Sequence, residues 1–340
     1  MSTDDRVRPR LVDVAKAAGV SVSTASRALG RGGELIAAST RDHVRAVART
    51  MGYQANPIAR SLRLATAGAI GMVVPSISNP FYIELVEQVE HCLAERGLNL
   101  LLCDSRMSVI NENRQLRSLE SGAVDGLLVV PLHQTYSTPA VERTASIVPT
   151  VQLDRGVHDA SIPTIGVDDP DGMDTVLRHL LERGVRRIAM LANTGSELSS
   201  DTRVTATVSC AARLGIELRE EDSIECAFSV EAGAAAVRRI LQRADLPDAI
   251  VCLNDLLAIG AITQLRRAKI SVPDQVMVTG FDDIQFASLM HPSITTFRQP
   301  LADIARHGVE ILLADKKSEG HIVVPGHLVV RESTSPMRRA

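Results

Sequence analysis

Short apolar runs alternating with amphipathic stretches, beginning at Ala69, constrain the fold of this chain more than any other feature. AIGMVV (69–74) reads as a buried strand. FYIELVEQVEHCLAER (81–96) follows as a helix, with Phe81, Leu85, Val89 and Leu93 on one stripe and Gly97 ending it. LNLLLC, a polar helix reaching Ser121, and DGLLVVP continue the series. The rhythm then returns: a helix to Arg183, Gly184, RIAMLA, helix 201–214, Gly215, helix 230–243, AIVCL, helix 255–268 and VMVTGF. Parallel strands need a long crossover, and a helix supplies it, so such alternation predicts parallel sheets with helices on both faces. The strands are too many for one small sheet, and the junctions ERGLNLLL and ERGVRRIAML occur once per half. The expectation is two doubly wound α/β lobes with a ligand site at the carboxyl ends of their strands, in the cleft between them.

The first 67 residues have a different character. Leu11, Val14, Ala15 and Ala18 form one helical stripe, Gly19 suits its end, and Ser21 suits the N-cap of a second helix over Val22–Leu29. GRGG (30–33) is a breaker-rich loop; Ser39 then caps a third helix that carries Val44, Val47, Ala48 and Met51 and stops at Gly52. NPIARSLR (56–63), with Pro57 at a position suited to N1, is a helical segment too short to be stable alone. Two helices around a tight Gly-Val-Ser turn fit a helix-turn-helix, whose second helix enters the DNA major groove. Small side chains let that helix approach closely, Ser21, Ser23, Thr24 and Ser26 offer hydroxyls to phosphates or base edges, and Arg27 suits guanine O6 and N7. A small three-helix bundle with solvated serines is the alternative that spacing leaves open.

Charge favours the first reading. Residues 1–67 hold 11 Lys+Arg against 5 Asp+Glu, and the remainder holds 26 against 35, so a head of +6 sits on a body of −9. A basic head points to a polyanionic partner. Aromatic content is 2% with no Trp, so the core is aliphatic and a ligand site has few rings to stack with. Five scattered cysteines, odd in number and without a C-x-x-C pair, read as buried reduced thiols. The N-terminus has no apolar signal-peptide run and no stretch reaches membrane-span length, which predicts a cytoplasmic protein without a membrane partner. Enzyme signatures are missing: there is no G-x-G-x-x-G after the first strand of the body, no Walker A loop, no G-x-S-x-G and no H-E-x-x-H. The nine His are dispersed without metal-ligand spacing, so neither metal nor cofactor is expected. His291, before Pro292, reads as a surface histidine, and the Asp pairs 168–169 and 282–283 read as helix caps or hydroxyl binders after strands.

VDVAKAAGVSVSTASRAL, STRDHVRAVARTMGYQANPIARSLR, IGMVVPSISNPFY, DGLLVVP, VQLDR, GVDD, ERGVRRIAML, CLNDLLAIGA, VTGFDD and TTFRQP stand in an order that covers nearly the whole chain. In this the chain resembles the lactose-repressor (LacI) family of bacterial transcription regulators. The resemblance implies an all-α helix-turn-helix head (1–55), a hinge helix and linker (56–67), and an effector-binding and dimerisation body (68–340). That body is periplasmic-binding-protein-like, with one lobe of 68–168 plus 299–325 and another of 169–298 plus 326–340. Val22 and Ser23 match base-reading positions, and Arg27 matches the basic reader. Ser21, Thr24, Ser26, Thr40, Tyr53 and Asn56 match positions that set the backbone on phosphates. Ala59 belongs with the DNA-binding hinge positions, and Leu62 matches the leucine that wedges into the minor groove. The implied effector cleft takes Asn79, Phe81, Tyr82 and Asp154 from one lobe, Arg203, Phe228, Asn254 and Asp282 from the other, and Gln299 from a crossover. Interlobe salt bridging is the alternative role for Asp154 and Asp282.

The sequence departs from the family pattern in three places. Arg203-Val204-Thr205-Ala206-Thr207 lacks the family's glycine and aromatic residue, Ala25 replaces a usual Val, and GRGGEL is one residue longer than the common loop. The tail ESTSPMRRA has no heptads, which argues against a coiled-coil tetramer. The expected protein is a homodimeric repressor on near-palindromic operator DNA, controlled by a sugar, polyol, nucleoside or related effector. A solute-binding protein or a sugar-modifying enzyme would share the two lobes; the first needs an export signal and the second a catalytic pair in the cleft.

Overall fold

The computed structural model describes residues 9–29, 36–53, 67–157, 161–192, 201–243, 245–314 and 320–335. Two compact units divide at Ala67 and Gly68.

The head consists of α1 (Leu11–Ala17), α2 (Val22–Leu29) and α3 (Ala38–Thr50). Its core is small and aliphatic: Val14, Ala15, Ala18, Ala25, Ala28, Val44 and Ala48 are buried together. Alanines at the contacts let three short helices pack closely, and Gly19, with φ +64°, makes the turn between the first two. The Ser21 hydroxyl accepts from the Thr24 N–H at 3.1 Å, capping α2. Arg45 Nε donates to the Ala28 carbonyl at 3.2 Å and ties α3 to the last turn of α2. The third helix corrects one expectation. It starts at Ala38 with Ala37 at the N-cap and no side-chain cap, so Ser39 lies inside the helix. Two good helix formers carry the first turn past the expected boundary.

The body begins with β1 (Ala69–Val74), α4 (Pro80–Ala94), β2 (Asn99–Asp104), α5 (Val109–Leu119), β3 (Gly126–Val129), α6 (Thr138–Ala145), β4 (Thr150–Leu153) and β5 (Thr164–Gly166). It continues with α7 (Asp169–Glu182), β6 (Arg187–Ala192), α8 (Asp201–Leu214), β7 (Glu217–Glu225), α9 (Val230–Ile240), β8 (Ala249–Cys252), α10 (Asp255–Arg267), β9 (Met277–Asp282), α11 (Gln285–Leu289) and β10 (Thr295–Arg298). Last come α12 (Leu301–Leu313), β11 (His321–Val323), β12 (His327–Val329) and a 3-10 turn at Glu332–Thr334.

These strands build two sheets, ordered β11-β5-β4-β3-β1-β2 and β12-β10-β9-β8-β6-β7. The first is parallel throughout; the second is parallel except where β12 pairs with β10. The chain passes between lobes after β5, after β10 and after β11. On the second passage it returns α12 to pack on α4 and β4 of the first lobe. Phe81, Leu85, Val89 and Leu93 are buried, as the helical stripe predicts.

The strand β7 was not legible. ELREEDSIE buries only Asp222 and Ile224, so it lacks the apolar alternation that marks a half-buried strand. It is the sheet's edge, where charged side chains suit solvent and discourage pairing with another chain. Asp222 is held there by the Arg243 guanidinium.

Candidate effector cleft and DNA-reading head

On α2 the functional and structural side chains separate by face. Ala25 and Ala28 point into the head core, while Ser21, Val22, Ser23 and Arg27 are exposed. Thr24, Ser26 and Thr40 are half-buried, and Tyr53 packs at the margin of the head core. Ser21 Oγ lies 2.8 Å from both Ser23 Oγ and Thr24 Oγ1, a hydroxyl cluster at the amino end of α2. Helix N-termini carry unsatisfied N–H groups and a partial positive charge, so this end suits a phosphate. Asn56, Ala59 and Leu62 lie outside the described residues.

In the body, Arg203 from the first turn of α8 is the centre of a buried polar cluster. Its Nε donates to Asp169 Oδ1 at 2.8 Å, and its Nη1 donates to the Leu253 carbonyl at 3.2 Å and to Asp282 Oδ1 at 3.4 Å. Its Nη2 pairs with Asp154 Oδ1 at 3.8 Å, across the two lobes. Gln299 Nε2 donates to Asp282 Oδ1 at 2.9 Å. Gln299 Oε1 is buried without a hydrogen-bond partner among the described residues. Arg155 extends the cluster: its Nε donates to Asp154 Oδ2 at 3.0 Å and its Nη2 to the Tyr82 hydroxyl at 3.1 Å.

The two interlobe carboxylates occupy matching places, one just after β4 and the other at the end of β9. Both have left-handed backbone, φ +67° at Asp154 and +106° at Asp282. Such conformations cost about 1–3 kcal/mol each in a non-glycine residue and cluster where geometry serves a site. Gly166 makes room for the first, because a Cβ there would lie 2.4 Å from the Asp154 carbonyl oxygen.

Beside this floor lies a cavity of about 410 Å³. Ser76, Ser78, Asn79, Tyr82 and Met107 line it from one lobe, and Phe228, Ser229, Val230, Glu231 and Leu256 are among those lining it from the other. Of the nine expected cleft residues, Asp154, Arg203, Asp282 and Gln299 therefore meet in one cluster, while Asn79, Tyr82 and Phe228 line the adjoining cavity. Phe81 and Asn254 are not among the residues that line the cavity. Phe81 is buried in the core with its ring edge on Tyr82, centroids 5.2 Å apart. Asn254 is buried, and its side chain accepts from the Leu257 N–H at 3.0 Å to cap α10. Asp169 and Arg155 were not picked out as cleft residues. The Asp168–Asp169 pair did suggest a cap or a hydroxyl binder; the first role falls to Asp168, while Asp169 accepts from a guanidinium. Asp168 caps α7 by accepting from the Asp171 N–H at 3.0 Å, and Asp169 takes Arg203.

Burial controls the electrostatics here. It lifts Asp282 to about 7, against the neighbouring Arg203, with Asp154 adding to the rise. Burial also raises the Tyr82 hydroxyl to about 12. For Arg203 burial opposes the charged form, but Asp169, Asp282 and Asp154 outweigh it and hold the guanidinium charged. Asp255, behind the cluster, is raised well above the usual range by burial and by Asp282. It accepts from Thr296 Oγ1 at 2.6 Å and from the Ile284 N–H at 2.8 Å.

Comparison with known proteins decides the class. The family "Bacterial regulatory proteins, lacI family" matches residues 10–56, and "Periplasmic binding protein-like domain" matches residues 177–334. The HTH-type transcriptional regulator DegA of Bacillus subtilis (strain 168) is 32% identical, over 97% of this chain and 99% of its own. The chain belongs to the lacI family of bacterial regulatory proteins. The ribose operon repressor of Escherichia coli (strain K12) is 30% identical, over 88% of this chain and 91% of its own. A lac repressor dimer bound to operator and the anti-inducer ONPF superposes with a TM-score of 0.86 at 25% identity, covering 96% of this chain and 99% of that one. The regulator is thus a DNA-binding transcription factor with a ligand-binding body, and not an enzyme. No helix among the described residues is long and apolar enough to cross a membrane.

Proposed function

We propose that the regulator is a cytoplasmic homodimeric repressor whose grip on a near-palindromic operator is set by a neutral, hydroxyl-rich molecule between its lobes. In this reading residues 1–55 read DNA, 56–67 form the hinge, and 68–340 bind effector and dimerise. The observation that carries it is the interlobe pairing of Arg203 with Asp154. A ligand that takes over those contacts alters how the lobes meet. The hinge segments then gain or lose helix, and Leu62 enters or leaves the minor groove with them. A coupling of about 1–3 kcal/mol suffices for a useful switch.

The cluster also indicates the ligand's chemistry. Three carboxyl groups and the orphan Gln299 Oε1 face two guanidiniums, so the floor offers both acceptors and donors and carries no net positive charge. Hydroxyl donors of a sugar, polyol or nucleoside suit such a floor, and an acid does not. Support for the dimer comes from an edge strand of the first sheet. β2 is an edge strand that exposes Leu101 and Leu102, and Ile83 of α4 and Ile110 of α5 are exposed as well. An apolar edge of this kind calls for cover.

A thermal-shift screen of sugars, polyols, nucleosides and small acids tests the reading, because a ligand at 100 times its Kd adds about 2.7 kcal/mol of stability. A neutral class is expected to raise the Tm. Arg203→Ala is expected to abolish that rise while leaving binding to an operator selected from random duplexes. Stabilisation by acids alone, or an undiminished rise in Arg203→Ala, overturns it.

A further inference from the structure

Phe281 is wholly buried and so makes no contact with a ligand itself, but its ring lies against the residue at the centre of the cleft. The Arg203 guanidinium carbon sits 3.9 Å above the centre of its ring. The ring is itself stacked on Phe297, with centroids 5.0 Å apart and planes 27° from parallel. Helix α7 closes against both rings at Gly172, where an added Cβ would come within 3.1 Å of Phe281 and 3.2 Å of Phe297. The first residue of the same helix, Asp169, takes the Nε hydrogen of Arg203.

We propose that Phe281 is a positioning residue that fixes the plane of the Arg203 guanidinium and so makes the cleft selective for ligands with two neighbouring oxygens. The proposal rests on the effector reading above. With one face covered by the ring and Nε held by Asp169, the guanidinium presents its two Nη groups toward the Leu253 carbonyl, Asp154 and Asp282. A planar fork offers two parallel donors, which match a pair of oxygens on adjacent atoms better than a single hydroxyl. A cation over an aromatic face is held more strongly when water is excluded, as it is here. Leucine at position 281 would fill much of the volume without the ring's negative face, leaving the guanidinium free to tilt.

The test follows the Arg203 Nε–H resonance in full-length protein labelled with ¹⁵N-arginine, assigned by its loss in Arg203→Lys. It is expected upfield, from the ring current, and slow to exchange with water. Phe281→Leu is expected to remove the upfield shift and speed exchange by about tenfold or more, equivalent to 1.4 kcal/mol. Phe281→Tyr is expected to restore both. An unchanged resonance in Phe281→Leu overturns the proposal whether or not an effector is in hand, and Phe281→Met serves if the leucine variant does not fold. Thermal shifts with ribose, glucose and cellobiose against 2-deoxyribose and 2-deoxyglucose add the functional readout. Any preference for the diol over its deoxy analogue should shrink about tenfold in Phe281→Leu and return in Phe281→Tyr; a preference kept in full overturns the selectivity. Loss of ligand response in Phe281→Leu but not in Arg203→Ala would instead sink the effector reading.

Discussion

The head and the cleft assemble their functional side chains in opposite ways. On α2 the exposed Ser21, Val22, Ser23 and Arg27 fall within seven consecutive residues, and helical periodicity alone separates them from the buried Ala25 and Ala28. The cleft cluster draws Asp154, Asp169, Arg203, Asp282 and Gln299 from five separate segments, and the contacts that join them all run between segments. The head therefore keeps its reading face as long as its helices form. The cleft depends on two sheets, their crossovers and a set of buried charges that must compensate one another. A substitution in the head should act locally; one in the body should spread.

The largest expected effect tests that spread. Gly280 on β9 leaves no room for a side chain, since a Cβ would lie 2.0 Å from Asp255 Oδ1. Gly280→Val should break the Asp255 hydrogen bonds to Thr296 and Ile284 and lower stability by about 3 kcal/mol, read as a drop in the denaturation midpoint. Ligand response should fall with it, because Asp282 lies two residues on. A variant of normal stability would show that the buried network is more yielding than its packing implies.

His179 gives the body a pH dependence. Burial and the nearby Arg183 lower it to about 4, and its Nε2 shares a hydrogen bond with Thr334 Oγ1 at 2.7 Å. Its folded pKa lies below the unfolded value of 6.5, so the unfolded chain binds more protons between these limits. The associated stability is complete above pH 6.5 and lost as pH falls toward 4, at about 1.4 kcal/mol per unit at most. Because Asp282, raised to about 7, gains stability over the same window, the loss is read by difference: the Tm of the parent protein should fall relative to that of His179→Asn between pH 7 and 5. A profile identical to that of the parent protein would assign the slope to other groups.

Two head substitutions sharpen the other side of the comparison. Arg27→Ala should weaken binding to the selected operator by about 1–3 kcal/mol, with a much smaller loss on random duplex. Equal losses on both would make Arg27 a phosphate contact. Ser21→Ala should cost about 1 kcal/mol of head stability through loss of the α2 cap, detectable by hydrogen exchange of the Thr24 amide. No change in that exchange would mean the cap is redundant.

Several body elements were legible because burial follows periodicity. The stripe of α4 and the strand at Ala69–Val74 are buried as the sequence pattern requires. The acidic edge strand β7 was hidden because an edge buries too little to leave an apolar signature. Ser39 was misplaced as a cap because a helix end is set by a small difference between neighbouring residues. In the cleft, the Asp168–Asp169 pair was visible, but its division into cap and Arg203 partner was not. Arg155 and Phe281 were not picked out, since Tyr82 and Arg203, which they meet at the cluster, lie far away in the chain.

By itself the amino-acid sequence determined the helix-turn-helix pattern, the two-lobed alternation of strand and helix, and the residue types at the ends of the strands. Those features are local, set by backbone geometry and hydrophobic period over a few turns. Only the tertiary structure decided that one arginine lies on a phenylalanine and between carboxylates of two lobes, that Asn254 caps a helix, and that Phe81 is core. Such outcomes turn on which distant groups share a low-dielectric space, where each charge must find a partner, and no short stretch of sequence records that.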